Sequence, residues 1–176
     1  MINFFINNLI WTQGFFILIL CIIIAISGYF FCKWLLFASI VLLIFTFFFF
    51  RNPERLLPEG NNNIISPADG TIIDIQSSSN GAFEGFDHKI SIFLSPFDVH
   101  VNWIPISGII EHIIYKPGKF FVAFEPKSSE LNERNEILIN DRSGHSVLVR
   151  QIAGFIARRI ACWAKPKEYV KIGQKY

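Results

Sequence analysis

Asp98, His100 and Asn102 alternate with Val99, Val101 and Trp103 inside the stretch Lys89–Gly108, KISIFLSPFDVHVNWIPISG. If Asp98–Ile104 is extended, successive side chains point to opposite faces, so the apolar residues share one face and the acid, imidazole and amide share the other. Such a polar row holds the parts of a proton-transfer site, because histidine is the side chain whose ordinary pKa lies nearest neutrality. A hydrogen-bonded edge strand without chemistry fits the same pattern, and pattern alone favours it. Asp69 is the other acid of interest. It lies in Ser66-Pro67-Ala68-Asp69-Gly70, a tight-turn signal followed by the β-branched run Thr71–Ile75. The pattern predicts a hairpin tip there, where an aspartate ordinarily bonds its own backbone; a chemical role for Asp69 needs a partner from elsewhere.

The surrounding sequence supplies strands to carry these residues. Ile90, Ile92 and Leu94 alternate as in a half-buried strand, and Ser95-Pro96 ends the run. Ile109–Tyr115 is β-branched, and Ile137–Asn140 with Ser146–Ile152 predicts a hairpin around Asp141–Gly144. Gln76–Gly85 reads as a loop, and Glu125–Asn135 as a long loop or one short helical turn. Lys116-Pro117-Gly118-Lys119 is a turn with two cations beside Phe120 and Phe121, which suits a loop facing lipid headgroups and equally a solvated turn. The expected fold is mainly β with minor α content over residues 64–176, joined through a polar linker, 51–63, to an N-terminal segment, 1–50.

That N-terminal segment is of another kind. The chain is 52% hydrophobic, and the excess is concentrated in Phe15–Phe50, where Lys33 is the one charge. A helical span takes about 20 apolar residues, so this run predicts a transmembrane hairpin of two short helices turning near Ser27–Lys33. A single span and a cleaved signal peptide are the alternatives. Against cleavage, Met1–Gln13 has no Lys or Arg and no A-x-A pattern follows. Arg51 and Arg55 directly after the run place the β domain in the cytoplasm, while Lys33 in the far turn must snorkel to a headgroup.

Charge and composition narrow the partners. Residues 51–141 hold 7 basic and 13 acidic side chains, whereas 142–176 hold 8 and 1. A cationic C-terminal third beside a membrane segment suits anionic lipid; nucleic acid is the weaker alternative, since no recognition motif accompanies the charge. Cys21, Cys32 and Cys162 are odd in number and scattered, as in a reducing compartment. His88, His100, His112 and His145 lack metal-ligand spacing. There is no Gly-rich phosphate loop and no Gly-x-Ser-x-Gly elbow.

Six blocks, in order, carry a resemblance to a known family: Arg51-Asn52-Pro53-Glu54-Arg55; Ser66-Pro67-Ala68-Asp69-Gly70; Phe93–Asn102; Tyr115–Phe120; Asn132-Glu133-Arg134-Asn135; and Gln151–Arg159. The chain resembles the phosphatidylserine decarboxylase proenzymes in their short prokaryotic form. The resemblance implies an enzyme of phospholipid biosynthesis on the bacterial inner membrane, facing the cytoplasm, that converts phosphatidylserine to phosphatidylethanolamine and carbon dioxide. Decarboxylating an amino acid leaves electrons on the α-carbon, and side chains alone offer no sink for them. The family makes its sink from its own chain: a serine attacks the preceding carbonyl, and elimination splits the precursor into a β chain and a small α chain capped by a pyruvoyl group. Neither a metal nor pyridoxal phosphate is implied.

Activating that serine calls for a base and a group to orient it, and Asp69 and His100 match those roles. Asn102, Lys116, Lys119, Arg158 and Arg159 fall at positions for substrate or membrane-surface contact. Phosphatidylserine, anionic membrane, the α chain and a second copy of the chain are the expected partners, and nucleic acid is not. Two departures stand out. None of the 11 glycines is followed by serine, so the expectation is a β chain truncated before the Gly-Ser processing pair, with an inactive, membrane-anchored remnant as the alternative. Trp103 occupies a position where the family usually carries His or Arg.

Overall fold

The computed structural model describes residues 9–60, 63–78, 83, 85–122 and 128–176. They form two compact units, one of Met1–Glu54 with Phe97–Val101, the other of Arg55–Pro96 with Asn102–Tyr176.

The first unit is built on two helices, α1 (Leu9–Phe31) and α2 (Lys33–Phe49). Cys32 between them is extended, with φ −158° and ψ 111°, which breaks the helical run within the Ser27–Lys33 window. The helices run antiparallel: a Cβ on Gly14 would meet the Phe50 ring at 2.9 Å, and one on Gly28 would come within 2.5 Å of the Leu36 nitrogen. Close approach at the turn therefore requires glycine at 28. Leu18, Cys21, Ser39 and Thr46 are buried, while most large apolar side chains on both helices are exposed. The two hydroxyls do not compete with packing, because Ser39 donates to the Leu36 carbonyl and Thr46 to the Leu42 carbonyl. The buried positions are thus Leu18 and three smaller residues, and most of the larger apolar side chains face outward. By length and composition, Gly14–Phe31 is a candidate span and Lys33–Phe49 is a shorter apolar helix.

The second unit is antiparallel β. Strands β1 (Thr71–Ser77) and β2 (His88–Phe93) pair from Thr71 opposite Phe93 to Ser77 opposite His88, with a bulge between Ile72 and Asp74. A four-stranded sheet has the order β5 (Ser146–Ile152), β4 (Arg134–Asn140), β3 (Gly108–Lys116), β6 (Tyr169–Val170). Ile110, Ile137, Ile139, Val149 and Val170 form its core with Ile104, Ile106 and Tyr176. A single helical turn, α3 (Ser128–Leu131), precedes β4. The hairpin of β4 and β5 forms as the sequence predicts: both oxygens of Asp141 are used in the turn, Oδ1 by the Ser143 and His145 amides and Oδ2 by the His145 ring.

Two expectations are corrected. Residues 98–104 form no continuous strand; Asn102 and Trp103 make isolated bridges, to Ala68 and Lys175. The alternation of burial nonetheless holds, with Val99, Val101 and Trp103 at most 5% exposed and Asp98, His100 and Asn102 half-buried. Asp69 is not on a hairpin tip either. Strand β1 pairs with β2 rather than with residues 64–65, and the Ile65 amide bonds the Pro105 carbonyl. Gly70 closes the approach to β1 at φ +120°, where an added Cβ would stand 2.3 Å from the Phe93 carbonyl oxygen. The expected loop over Gln76–Gly85 lies partly outside the described residues.

Candidate active site

In the sheet unit, Asp69 is placed by the bend after Pro67. Its Oδ2 accepts from Nη2 of Arg55, and the two side chains are 32% and 44% exposed. The Arg55 guanidinium also faces the Trp103 ring, 5.8 Å from its centroid. Trp103 itself is buried, and its amide donates to the Pro67 carbonyl at 2.9 Å. Asn102 tightens the same junction: its Nδ2 donates to the Pro67 carbonyl at 3.1 Å, while its Oδ1 accepts from Nε2 of Gln151 at 2.8 Å. Gln151 in turn accepts from Nδ2 of the buried Asn135 at 3.1 Å. A chain of three amides thus ties the turn carrying Asp69 to strands β4 and β5.

His100 belongs to the helical unit. Its Nδ1 lies 3.0 Å from the Asp98 carbonyl oxygen. A carbonyl can only accept, so Nδ1 carries the proton and the neutral ring presents the lone pair of Nε2. Burial pushes the imidazole below its ordinary pKa of 6.5; the Asp98 carbonyl and carboxylate oppose this, and Arg51 adds to it. The result is a ring that is neutral, hence basic at Nε2, near pH 7. Asp69 and His100 thus lie in different units, each with a partner of its own.

The expected cations fall into two groups. Lys116 reaches Oε2 of Glu136 at 3.4 Å, and the same carboxylate accepts from Nε of Arg134 at 3.1 Å and pairs with Nε of Arg150 at 3.0 Å. Burial raises the Glu136 pKa, but Arg150, Lys116 and Arg134 together outweigh it and hold the carboxyl below its usual range. Lys119, Arg158 and the exposed Arg159 lie on loops. Lys119 Nζ stands 5.4 Å from the Phe121 ring centroid, and the Arg158 guanidinium lies 5.7 Å from Phe120 and 5.0 Å from Phe155. Asn132 holds these loops together by bonding the Phe121 amide and carbonyl and the Ala153 carbonyl, each at 2.9 Å. Gly118 permits the approach, since a Cβ there would stand 2.4 Å from the Asn132 carbonyl carbon.

Sequence reasoning missed Arg55, Gln151, Asn135 and Glu136 as members of these clusters. Gln151 carried a signal: it shares strand parity with Val147 and Val149, so a polar residue faces the core side and must find a partner. Arg55 carried none beyond its charge. Among the described residues no group of His, Cys, Asp and Glu is arranged to hold a metal ion.

The β unit carries an acid on a braced turn and a pair of cationic, aromatic loops, and the helical unit carries a neutral imidazole; a carboxylate and an imidazole are the parts that proton-transfer chemistry uses. The comparisons give that class its family. The family described as phosphatidylserine decarboxylase matches residues 42–176. The phosphatidylserine decarboxylase proenzyme of Carboxydothermus hydrogenoformans is 44% identical over 165 residues, covering 93% of this chain and 77% of the relative. That of Syntrophus aciditrophicus is 43% identical over 152 residues, covering 82% and 68%, and that of Chlorobium chlorochromatii 41% over 159 residues, covering 90% and 74%. The chain belongs to the phosphatidylserine decarboxylase family.

Proposed function

We propose that the chain is the β-chain portion of a phosphatidylserine decarboxylase, a lyase of phospholipid biosynthesis made as a proenzyme. The observation that carries this is the 44% identity with a proenzyme across 93% of the chain. No observation favours the inactive-remnant alternative. The apolar pair α1 and α2 is assigned as a membrane anchor with the β unit in the cytoplasm, on the strength of their outward-facing apolar side chains and of Arg51 and Arg55 after the run. The loops bearing Lys119, Arg158 and Arg159, with Phe120, Phe121 and Phe155, are assigned to the anionic membrane surface, where cations and aromatic rings are both favoured.

The group implied by the family is a pyruvoyl derived from a serine, and these 176 residues contain no Gly-Ser pair to give it. The donor chemistry present fits its formation. His100, neutral with its lone pair on Nε2, is the base for a serine hydroxyl, and the family motifs assign Asp69 as the orienting carboxylate, a role that requires Nδ1 to exchange the Asp98 carbonyl for it. When present, the pyruvoyl group supplies the electron sink for loss of carbon dioxide. The remaining tasks belong to this chain: Asn102 braces the Asp69 turn, Lys116 adds positive charge for a phosphodiester or carboxylate, and His100 returns a proton to the α-carbon.

The test is release of carbon dioxide from carboxyl-labelled phosphatidylserine by the chain joined to a family C-terminal segment bearing Gly-Ser. Cleavage and hydroxylamine-sensitive release are expected, with Asp69→Asn and His100→Ala leaving an uncut, folded precursor. Normal cleavage in both variants would remove these residues from the mechanism; absence of any release from a cleaved wild-type protein would overturn the activity.

A further inference from the structure

The segment Phe97–Val101, which carries His100, is packed within the helical unit. The imidazole lies nearly flat on the ring of Phe49, in the last turn of α2, with centroids 4.2 Å apart and planes at 26°. One residue earlier, Phe48 meets Phe97 edge-on at 6.4 Å. Arg51 locks the junction: Nη2 donates to the Phe97 carbonyl at 2.7 Å and Nη1 to the Phe48 carbonyl at 3.1 Å, with the guanidinium 3.9 Å from the Phe48 ring centroid. Val99, between the two ring contacts, is 1% exposed. Phe97–Val101 is therefore fixed to the end of an apolar helix by three contacts, two at Phe97 and one at His100. One chance ring contact would leave the imidazole free to swing about its Cα–Cβ bond; a stack on one face with Nδ1 tied to the Asp98 carbonyl sets both its plane and its tautomer.

We propose that Phe49, supported by Arg51, is a positioning residue for His100, so that the end of the second apolar helix forms part of the machinery that aims Nε2. The inference rests on the assignment of His100 as the base. It also gives the anchor a second role: shortening or replacing α2 would misplace the imidazole even where membrane attachment survives. The charged groups facing the ring are Asp98, on its own segment, and Arg51, at the helix end. A phenyl face attracts an imidazolium, so the stack by itself favours the charged ring, whereas the burial it helps create favours the neutral one, and the pKa of the ring is lowered with burial as the leading cause.

The experiment is a pH titration of the four histidines by NMR on the isotope-labelled chain in phospholipid nanodiscs, with His100 assigned by the signal lost in His100→Gln. His100 is expected to titrate below 6.5 with its proton on Nδ1. Phe49→Leu keeps apolar bulk but removes the flat face. It should bring the midpoint toward 6.5, mix the tautomers and raise the rate of diethylpyrocarbonate modification of His100 severalfold. Arg51→Gln should give a smaller change in the same sense, and Phe37→Leu, a lipid-facing ring of α2, none. An unchanged midpoint, tautomer and modification rate in Phe49→Leu would overturn the proposal. The catalytic reading fails separately: if His100→Gln still cleaves in the Gly-Ser-bearing chain, His100 is not the base, whatever Phe49→Leu does to its ring.

Discussion

Arg55 donates to the carboxylate of Asp69 while its guanidinium faces the ring of Trp103. The acid assigned to orient a base is thus held by a cation from the linker that follows the apolar helices. An exposed pair of this kind stabilises the fold by little, about 0–1 kcal/mol. Its value is in fixing one carboxylate rotamer: Oδ2 is engaged and the plane of the group is set. Arg55→Ala is therefore expected to leave thermal stability nearly unchanged yet slow self-cleavage of the Gly-Ser-bearing chain by about tenfold, less than the roughly hundredfold that a displacement of about 1 Å can cost, because the turn still holds Asp69. Asp69→Asn should abolish it. Cleavage at the wild-type rate in Arg55→Ala would show that Asp69 is positioned by its turn alone.

Glu136 behaves differently because it is buried, 6% exposed in its side chain, among Arg134, Arg150 and Lys116. Removing the carboxylate leaves three cations facing one another, and breaking a buried ion pair costs about 3–5 kcal/mol. Glu136→Gln should lower the denaturation midpoint markedly, with Lys116→Met partly restoring it. Since the folded-state pKa is depressed, the stabilisation is complete above the unfolded-state value near 4.5 and is lost as pH falls through the lower folded value. Wild type should thus lose stability on acidification across that window, and Glu136→Gln should lose less. Parallel acid-denaturation curves for the two would contradict the assignment.

The amide chain from Pro67 through Asn102 and Gln151 to Asn135 predicts a third effect. Gln151→Ala strips a partner from Asn102 Oδ1 and from Asn135 Nδ2 at once, and each unmet buried group costs about 1–3 kcal/mol. Gln151→Glu keeps an acceptor for Asn135 but replaces the donor to Asn102, so it should restore only part of the loss. Combining Gln151→Ala with Asn102→Ala should be less damaging than the sum, because the second change removes a group already orphaned. Strict additivity in a double-mutant cycle would show that the two amides are not coupled.

Most strands were legible because their cores are local patterns: Val147, Val149 and the Ile137–Ile139 pair alternate as a two-sided strand must. Two apolar helices were legible from the unbroken apolar run, with the break at Cys32 inside the expected window, but α1 starts at Leu9, ahead of that run, and is not short. The stretch 98–104 kept its alternation of burial but not its ladder, since the backbone of 102–104 is used by Pro67 and by Gly173, Gln174 and Tyr176, from two distant parts of the chain. Such partners leave no periodic trace. Asp69, His100 and Asn102 could be nominated from residue type, but Arg55, Phe49 and Gln151 could not, because what qualifies them is a neighbour 14, 51 or 49 positions away.

Trp103 supplies the last prediction. The resemblance to the family leads one to expect a cation at this position, and here an indole fills it, buried at 5% exposure, with the Arg55 guanidinium 5.8 Å from its ring centroid. Replacing Trp103 with arginine would put a cation at a buried position facing the half-exposed Arg55, where its desolvation is costly and the two like charges repel. Trp103→Arg alone is therefore expected to destabilise the chain and, in the Gly-Ser-bearing form, to weaken decarboxylation rather than improve it. If Arg55 supplies the positive charge in place of residue 103, then Arg55→Leu combined with Trp103→Arg moves the cation without adding one. That double variant should recover both stability and turnover relative to Trp103→Arg. The measurement is carbon dioxide release set against the denaturation midpoint for the two single variants and the pair; a double variant worse than either single change would show that Trp103 and Arg55 serve unrelated purposes.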